Sequence, residues 1–247
     1  MKKILLPTLL SSFLVAGNIE IGGGYLTDNL TGLVSVESKA LNAKYDLYDK
    51  KGTDSNRGYG YIDIKIIPLL PNILIDYQAP KYHSKTLNTK ITAYGQSSSA
   101  NSVGNYNMET NQIGGYLYYD ALFFLPFISL DLGIGAKYVD YNLEVKDNGL
   151  NQIIYQDSDQ VILPLVYIHP DIRISNIEIE VKGKGISYDG SEFYEVNAGV
   201  KYWFNSIGIE GGYYYNKLKT DGDNDLFSGV MIDTKTDGFY VGLSYKF

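Results

Sequence analysis

Apolar and polar side chains alternate along the final eleven residues of the chain, from Asp237 to Phe247. One face carries only apolar residues, namely Phe239, Val241, Leu243, Tyr245 and Phe247. The other face carries Tyr240, Gly242, Ser244 and Lys246. Because successive side chains of a strand point to opposite faces, the pattern predicts a β-strand with one fully apolar side. A soluble protein seldom ends on such a stripe, so we expect this face to contact lipid.

The same alternation recurs upstream, with ionisable side chains on the second face. In 128–138, isoleucines and leucines alternate with Asp131 and Lys137. Two further segments, 177–184 and 194–202, carry Glu178, Glu180, Lys182 and Lys184, and Glu195 and Lys201. A charge on a lipid face near the midplane costs about 2–4 kcal/mol, so these faces are predicted to point inward. Unpaired backbone groups in lipid are also costly, so the sheet is expected to close on itself.

Breaks in the alternation divide the chain into about ten predicted strands. They span residues 18–26, 58–67, 72–80, 111–122, 128–145, 159–169, 175–187, 192–203, 207–219 and 236–247. Short connections at 68–72, 125–127, 169–171 and 204–206 alternate with long polar ones at about 26–58, 80–110, 146–159 and 219–236, apart from a tight outer hairpin at 188–191. This is the pattern of an all-β, closed antiparallel transmembrane barrel with short periplasmic turns, long extracellular loops and both termini on the periplasmic side.

Two segments leave counts of eight or twelve strands open. Three apolar residues fall out of phase with Tyr138: Tyr141, Leu143 and Val145. They indicate either a bulge at 139–140 or the point where this strand leaves the membrane. Pro164 removes a ladder donor within the apolar run 161–168, whose faces the sequence does not assign.

The N-terminus is typical of a cleaved signal peptide. Lys2 and Lys3 precede a mostly apolar stretch, 4–15, and small residues follow up to Gly17. A membrane-anchor helix is the weaker interpretation, because the stretch is shorter than the ~20 residues that span a bilayer. The predicted organisation is a signal peptide at 1–17 and one outer-membrane barrel at 18–247.

Composition limits the chemistry. The chain has no cysteine, which excludes disulfides and thiolate metal sites. Its formal charge is −7, and removing Lys2 and Lys3 with the signal peptide makes it −9, which argues against nucleic acid as a partner. The acidic loop 221–225 has its glycine at the second position and no closing glutamate, so we interpret it as solvated rather than as a calcium site. No cofactor or metal is predicted.

The inward charges are the candidate site. Those predicted to line the interior, without an assigned ligand, are Asp63, Lys65, Asp131, Lys137, Glu178, Glu180, Lys182, Lys184, Glu195, Lys201 and Glu210, with Glu20, Asp76 and Asp120 beside them. Charges of both signs are present, and a barrel of this size has a narrow interior. This favours a network of paired charges that plugs the barrel. The alternative is a conducting pore, which needs a continuous water column.

Tyrosines fall into two sets. Those predicted to face outward near strand ends, as interfacial girdles, are Tyr25, Tyr77, Tyr119, Tyr138, Tyr213, Tyr215 and Tyr245. Those predicted to face inward are Tyr116, Tyr118, Tyr214 and Tyr240. The inward set is the best candidate for an aromatic ligand-binding track, although the structural role is the favoured interpretation.

Catalytic residues are sparse. The two histidines, His83 and His169, are predicted at opposite ends of the barrel and cannot form one site. Ser84 adjoins His83, but neighbouring strand residues face opposite ways. An enzyme acting on lipid or peptide at the outer rim is therefore only an alternative.

Four stretches carry a resemblance to a known family. They are Gly22–Tyr25, Ile67–Ile73, Ile186–Gly190 and Gly238–Phe247. With them the chain resembles bacterial outer-membrane β-barrel proteins that have a Gly-Gly signature near the mature N-terminus. The resemblance implies a small barrel in the outer membrane of a Gram-negative bacterium, and it brings no catalytic residues.

The favoured functional hypothesis is a monomeric, porin-like outer-membrane barrel, either structural or a narrow conduit for small solutes. A barrel that binds partners through its long extracellular loops is the other alternative to the enzyme. The expected partners are outer-membrane lipid and the barrel-assembly machinery, which would engage the C-terminal strand ending at Phe247.

Overall fold

The computed structural model describes residues 18–38, 43–65, 70–84, 87–93, 96–122, 124–125, 127–147, 152–188, 191–220 and 230–247. Twelve strands occupy most of them: β1 (Asn18–Ser38), β2 (Ala43–Lys65), β3 (Asn72–Gln78), β4 (Lys81–His83), β5 (Leu87–Ala93), β6 (Gln96–Asp120), β7 (Ile128–Asp147), β8 (Gln152–Ile174), β9 (Ile177–Tyr188), β10 (Ser191–Phe204), β11 (Ile207–Thr220) and β12 (Val230–Lys246). Among the described residues, no helix is long and apolar enough to cross a membrane. The predicted signal peptide and the acidic loop at 221–225 lie outside the described residues.

Ten strands close into an antiparallel barrel. Their order is β1-β12-β11-β10-β9-β8-β7-β6-β3-β2, and β2 pairs back with β1. Because the sheet closes, its backbone groups pair within the wall and no edge is left in lipid. The predicted fold class is therefore confirmed. The first and last strands lie side by side, with Glu20 opposite Lys246, at the end of the barrel that carries the short turns.

β3, β4 and β5 lie end to end in one line of the wall, between β2 and β6. Pro80, which has no N–H donor, lies between β3 and β4. Among the described residues, the ladder between β2 and this line stops at Tyr59 and resumes at Tyr48. We call this gap, between residues 49–58 of β2 and residues 79–84, the seam.

The outer surface is apolar over one band around the barrel. In β12 the outward residues from Phe239 to Phe247 are exposed and apolar, and in β8 they run from Ile162 to Ile174. Directly beyond them the outward residues become polar, with Asp237 in β12 and Gln160 in β8. Tyrosines predicted outward are exposed in this band: Tyr25, Tyr77, Tyr119, Tyr213 and Tyr245. We take this band to be the lipid-facing surface.

Several strands continue far beyond the band. β1, β2, β6, β7 and β8 have 20–25 residues, whereas β9, β10 and β11 have 12–14. The prediction of long polar loops is therefore wrong for the most part, because the described residues of these segments are largely β-strand. We call the parts of β1, β2, β5, β6, β7, β8 and β12 beyond the band the projection.

The error has a physical cause. Within the band, the outward residues are apolar and most inward residues are polar, although β8 also buries Leu163 and Leu165 there. In the projection this sense is inverted, because water lies outside and packed side chains lie inside. Leu30 and Val34 of β1 and Leu143 and Val145 of β7 are all buried in the interior. When only outward apolar residues are taken as the mark of a strand, a segment with the inverted alternation looks like the end of that strand.

The inversion also corrects the bulge predicted at 139–140. The β6–β7 register is continuous from Gly104 opposite Asp147 to Asp120 opposite Asp131. Tyr141, Leu143 and Val145 are buried on the same inward face as Asp131 and Lys137. This face changes from charged to apolar where the strand leaves the band.

The short turn predicted at 169–171 is also wrong. β8 runs on to Ile174, and the chain turns at Ser175, whose φ is 54°. Pro170 and Pro164 both lie on the exposed outer face. The β8–β9 ladder begins only at Val166, so Pro164 removes no hydrogen bond to β9 there. His169 therefore points into the interior rather than lying at a turn.

Candidate functional site

The inward faces of the strands enclose three cavities at successive heights. The mouth cavity, of about 170 Å³, lies at the short-turn end. A middle cavity of about 70 Å³ follows, and Tyr61, Leu74, Glu180 and Lys182 contact both. An outer cavity of about 60 Å³ lies within the projection and shares Tyr214 with the middle one.

A buried ion cluster occupies the middle of the barrel. Lys184 Nζ donates hydrogen bonds to Asp76 Oδ2, at 2.5 Å, and to Glu195 Oε1, at 2.8 Å. Lys137 Nζ donates to the other oxygen, Glu195 Oε2. Lys137 and Glu195 are fully buried. These residues come from β3, β7, β9 and β10, so the cluster ties together four strands of the wall.

A second cluster lies nearer the short-turn end. Lys201 Nζ lies 2.6 Å from Glu20 Oε1 and 3.2 Å from Glu210 Oε2. The Tyr61 hydroxyl is within hydrogen-bond distance of both carboxylates, at 2.7 and 2.9 Å. Tyr59 donates to Glu210 Oε1 at 2.7 Å. Each buried carboxylate therefore meets a cation and a phenol, as a charge in a poorly solvated interior requires.

Glycines make room for these rings. A Cβ at Gly242 would collide with the Tyr59 hydroxyl, and one at Gly199 would collide with the Tyr240 hydroxyl. Glycine at these two inward positions therefore lets the tyrosine side chains lie across the interior.

The mouth cavity is rimmed by a third group of charges. Arg173 donates from Nε and Nη2 to Glu178 Oε2, at 3.2 and 2.9 Å, and Trp203 Nε1 donates to the same oxygen at 3.0 Å. Lys246 Nζ lies 3.6 Å from the centre of the Trp203 ring. Lys65 Nζ is 3.7 Å from Asp131 Oδ2.

His169 lies between two carboxylates at the floor of the mouth cavity. Its Nδ1 is 3.2 Å from Asp131 Oδ2, and its Nε2 is 3.2 Å from Glu180 Oε2. Asp131, His169 and Asp171 could together offer three metal ligands within 4.8 Å of one another. Both ring nitrogens already face carboxylates, however, so the arrangement fits a hydrogen-bonded histidine better than a metal ligand.

Arg57, Asp28 and Tyr82 form a buried trio behind the seam. Arg57 Nη1 lies 2.7 Å from Asp28 Oδ2 and donates to the Tyr82 hydroxyl at 2.6 Å. The Tyr82 hydroxyl in turn donates to Asp28 at 3.2 Å. Arg57 also lies over the ring of Tyr214, 5.0 Å from its centre. Side chains thus join β1, β2 and β4 where the β2–β4 ladder is absent.

Apolar packing closes the projection. Its buried members include Leu30, Val34, Tyr106, Tyr141, Leu143, Val145, Val161 and Ile232, and Leu163 of β8 and Phe193 of β10 belong to the same buried cluster. β1 and β8, which lie opposite each other in the strand order, approach across the interior. The described side chains inside the projection therefore form a packed core.

The eleven predicted lumen residues lie on inward faces, and the structure brings most of them into these clusters. Whether they bind a ligand stays a prediction.

The sequence does not predict Arg57, Asp28 and Arg173 as interior charges. The first two lie in a segment predicted as a loop, and the third follows the wrongly placed turn. The signal that could have placed them inside is their alternation with outward-facing residues along the strand. Asp120 lies beside the short turn, where its Oδ1 accepts from the backbone N–H of Leu122.

The candidate catalytic pair does not assemble. His83 is exposed on the outer face with Asn107 Oδ1 3.4 Å from its Nδ1, whereas Ser84 is buried on the inner face. The two side chains therefore point away from each other, as the strand alternation predicts.

No protein-family model matches the chain, and no curated protein matches it either. The Gly-Gly signature family is therefore not supported, whereas the coarser class of outer-membrane β-barrel is. Similar solved structures include Neisserial surface protein A, with 10% identity, 93% of this chain and 97% of that chain covered, and a TM-score of 0.39. Ail of Yersinia pestis has 10% identity, 94% and 99% covered, and a TM-score of 0.41. The translocator domain of the autotransporter NalP from Neisseria meningitidis has 11% identity, 98% and 92% covered, and a TM-score of 0.45. Likenesses this distant say nothing about a ligand or partner of this chain.

Proposed function

We propose that the chain is a closed outer-membrane barrel with a structural role, which anchors the projection at the cell surface and does not serve as an open pore. The observation that carries this proposal is the continuation of five strands, each 20–25 residues long, beyond the lipid-facing band. A strand needs only about 9–11 residues to cross the membrane, so roughly half of each is free for a role outside it.

The closed interior supports the same proposal. Ion clusters cross the part of the barrel inside the band, and apolar side chains pack inside the projection. A conduit would need both to move aside. The projection, in contrast, is held together by β-ladders that run on from the band.

The short-turn end would face the periplasm, and the projection would face the outside. This orientation follows from the usual distribution of short turns and longer outer segments in such barrels. We further propose that a signal peptide at 1–17 directs export, that the C-terminal strand is read by the assembly machinery, and that the barrel is a monomer.

The orientation can be tested by cysteine labelling, because the natural chain has no cysteine. Lys235→Cys places a thiol on the projection, Val241→Cys places one on the same face of β12 inside the band, and Ser206→Cys places one at a short turn. On intact cells, a membrane-impermeant maleimide should label Lys235→Cys alone. Ser206→Cys should react only after the outer membrane is disrupted, and Val241→Cys should react slowly in both cases.

Two results would contradict the proposal. Labelling of Ser206→Cys on intact cells, with Lys235→Cys protected, would mean the opposite orientation. Equal labelling rates for Val241→Cys and Lys235→Cys would mean that the apolar band does not face lipid.

A conduit for small solutes is the second candidate function, because three cavities lie in line through the barrel. Passage would require the residues between them to shift, above all Tyr61, Lys182 and Tyr214. Conductance measurements separate the two candidates and are described at the end of the Discussion.

A further inference from the structure

We propose that the mouth cavity is a binding site for small oxyanions, meaning dissolved molecules that carry phosphate or carboxylate groups. The site is the largest of the three cavities, at about 170 Å³, and it opens at the short-turn end. It lies below the closed part of the interior, so binding there needs no passage through the barrel. In the orientation proposed above, the ligand would come from the periplasm.

The first argument is the different exposure of the two signs of charge. Five cations line this cavity, namely Lys65, Arg173, Lys182, Lys201 and Lys246. The side chains of Arg173, Lys65 and Lys246 are 44%, 36% and 30% exposed. Those of Glu178 and Glu180 are 5% exposed, and that of Glu20 is 12% exposed. A solute that enters the mouth therefore meets cationic groups first, and the carboxylates lie behind them.

The second argument concerns hydrogen bonds already made. The carboxylates are occupied by the wall: Glu20 by Lys201 and Tyr61, Glu178 by Arg173 and Trp203, and Glu180 by His169 and Lys182. Acceptors that are already satisfied have little to offer a cationic ligand, which makes a cation the poorer fit.

Two of the cations at the rim, Lys65 and Lys246, are held more loosely than the others. Lys65 Nζ is 3.7 Å from Asp131, and Lys246 Nζ is 3.4 Å from Glu20 and 3.6 Å from Glu178. The buried Lys201, in contrast, lies 2.6 Å from Glu20. An ammonium carries three N–H donors, so Lys65 and Lys246 can each turn a donor toward an anion without breaking a short ion pair.

The chain provides its own reporter for this site. Trp203 is the only tryptophan, and Lys246 lies over its ring at the rim of the cavity. An anion that draws Lys246 off the ring should change the tryptophan fluorescence. The effect should saturate, because it follows occupancy of one site.

The test uses the folded protein in a neutral detergent, with inorganic pyrophosphate as the probe. Calorimetry and tryptophan fluorescence are recorded against sodium chloride at equal ionic strength. The test variants are Lys65→Gln and the double variant Lys65→Gln/Lys246→Gln. The control is Lys81→Gln, a residue 66% exposed on the outer face and paired with Glu109 at 3.2 Å. Folding of each variant is checked by its heat-dependent gel mobility.

Wild type and Lys81→Gln should bind pyrophosphate with equal affinity. Lys65→Gln should bind about tenfold more weakly, because it loses one charge-assisted hydrogen bond, and the double variant more weakly still. The proposal is overturned if pyrophosphate gives wild type no more heat than chloride does, or if the Lys65→Gln and Lys81→Gln variants bind equally well. If the double variant does not fold, Lys65→Gln alone decides, because among the described residues the 3.7 Å contact with Asp131 is the one ion pair of Lys65.

Discussion

At the scale of single residues, Glu195 is the side chain on which the interior depends most. It is fully buried and accepts from both Lys137 and Lys184. Glu195→Gln keeps the shape but leaves two buried ammonium groups without their shared counter-charge. Breaking a buried ion pair from one side typically costs about 3–5 kcal/mol, and we expect a loss of this size in the free energy of unfolding, measured by urea in detergent.

The matched control lies three residues earlier on the same strand. Glu192 pairs with Lys217 at 2.6 Å, but both side chains are more than a quarter exposed. Exposed pairs contribute about 0–1 kcal/mol, so Glu192→Gln should unfold close to wild type. Equal losses in the two variants would contradict the view that burial gives the interior cluster its strength.

The sequence predicts which charges face inward better than it predicts their partners. The cost of a charge in lipid is enough to place Glu195, Lys184 and Lys137 inside the barrel. The hydrogen bond between Lys184 and Asp76 joins residues 108 positions apart. It depends on which strands face each other across the interior. Strand alternation holds no information about that distance, so the clusters could not be derived from it.

At the scale of elements, the seam is the place where the wall relies on side chains. The Tyr82 hydroxyl connects Arg57 of β2 with Asp28 of β1 where the β2–β4 ladder is absent. Tyr82→Phe should remove about 1 kcal/mol of local stability, since one buried hydrogen-bond bridge is lost. Amide hydrogen exchange should then become roughly fivefold faster in 53–58 and 81–84, with little change in β10 and β11.

Tyr77→Phe is the control for the seam, because Tyr77 lies on the outer face of the neighbouring β3 and its hydroxyl is 3.4 Å from Asn111 Oδ1. It should leave exchange at the seam unchanged. A uniform increase over the whole barrel in Tyr82→Phe would mean that the trio supports global stability rather than the seam.

The elements also show where strand prediction succeeds and where it fails. About ten membrane-crossing strands follow from alternation because lipid imposes an apolar outer face, as in β10 and β12. In β1 and β7 the alternation continues beyond the band with its sense inverted, so a search for the lipid-facing pattern predicts loops where the projection lies. The sequence also predicts a turn at Pro170, although on this outer face of β8 the proline is accommodated within the strand.

At the scale of the whole molecule, the barrel is closed by two different kinds of interaction. Opposite charges pair within the band, where a low effective dielectric strengthens their attraction. Apolar side chains pack within the projection, where water surrounds the outer wall. The interior thus has a polar base and an apolar top, and we infer that the described side chains leave no continuous water column between them.

The central claim is that this interior is closed, and planar-bilayer conductance of the refolded protein tests it most directly. Wild type should insert without producing discrete, steady current steps. The double variant Lys184→Ala/Glu195→Ala removes one cation and one carboxylate of the buried ion cluster in the middle of the barrel. It shows whether any current runs through the interior. Steady steps from wild type, with a conductance that this variant changes, would contradict the account and favour the conduit.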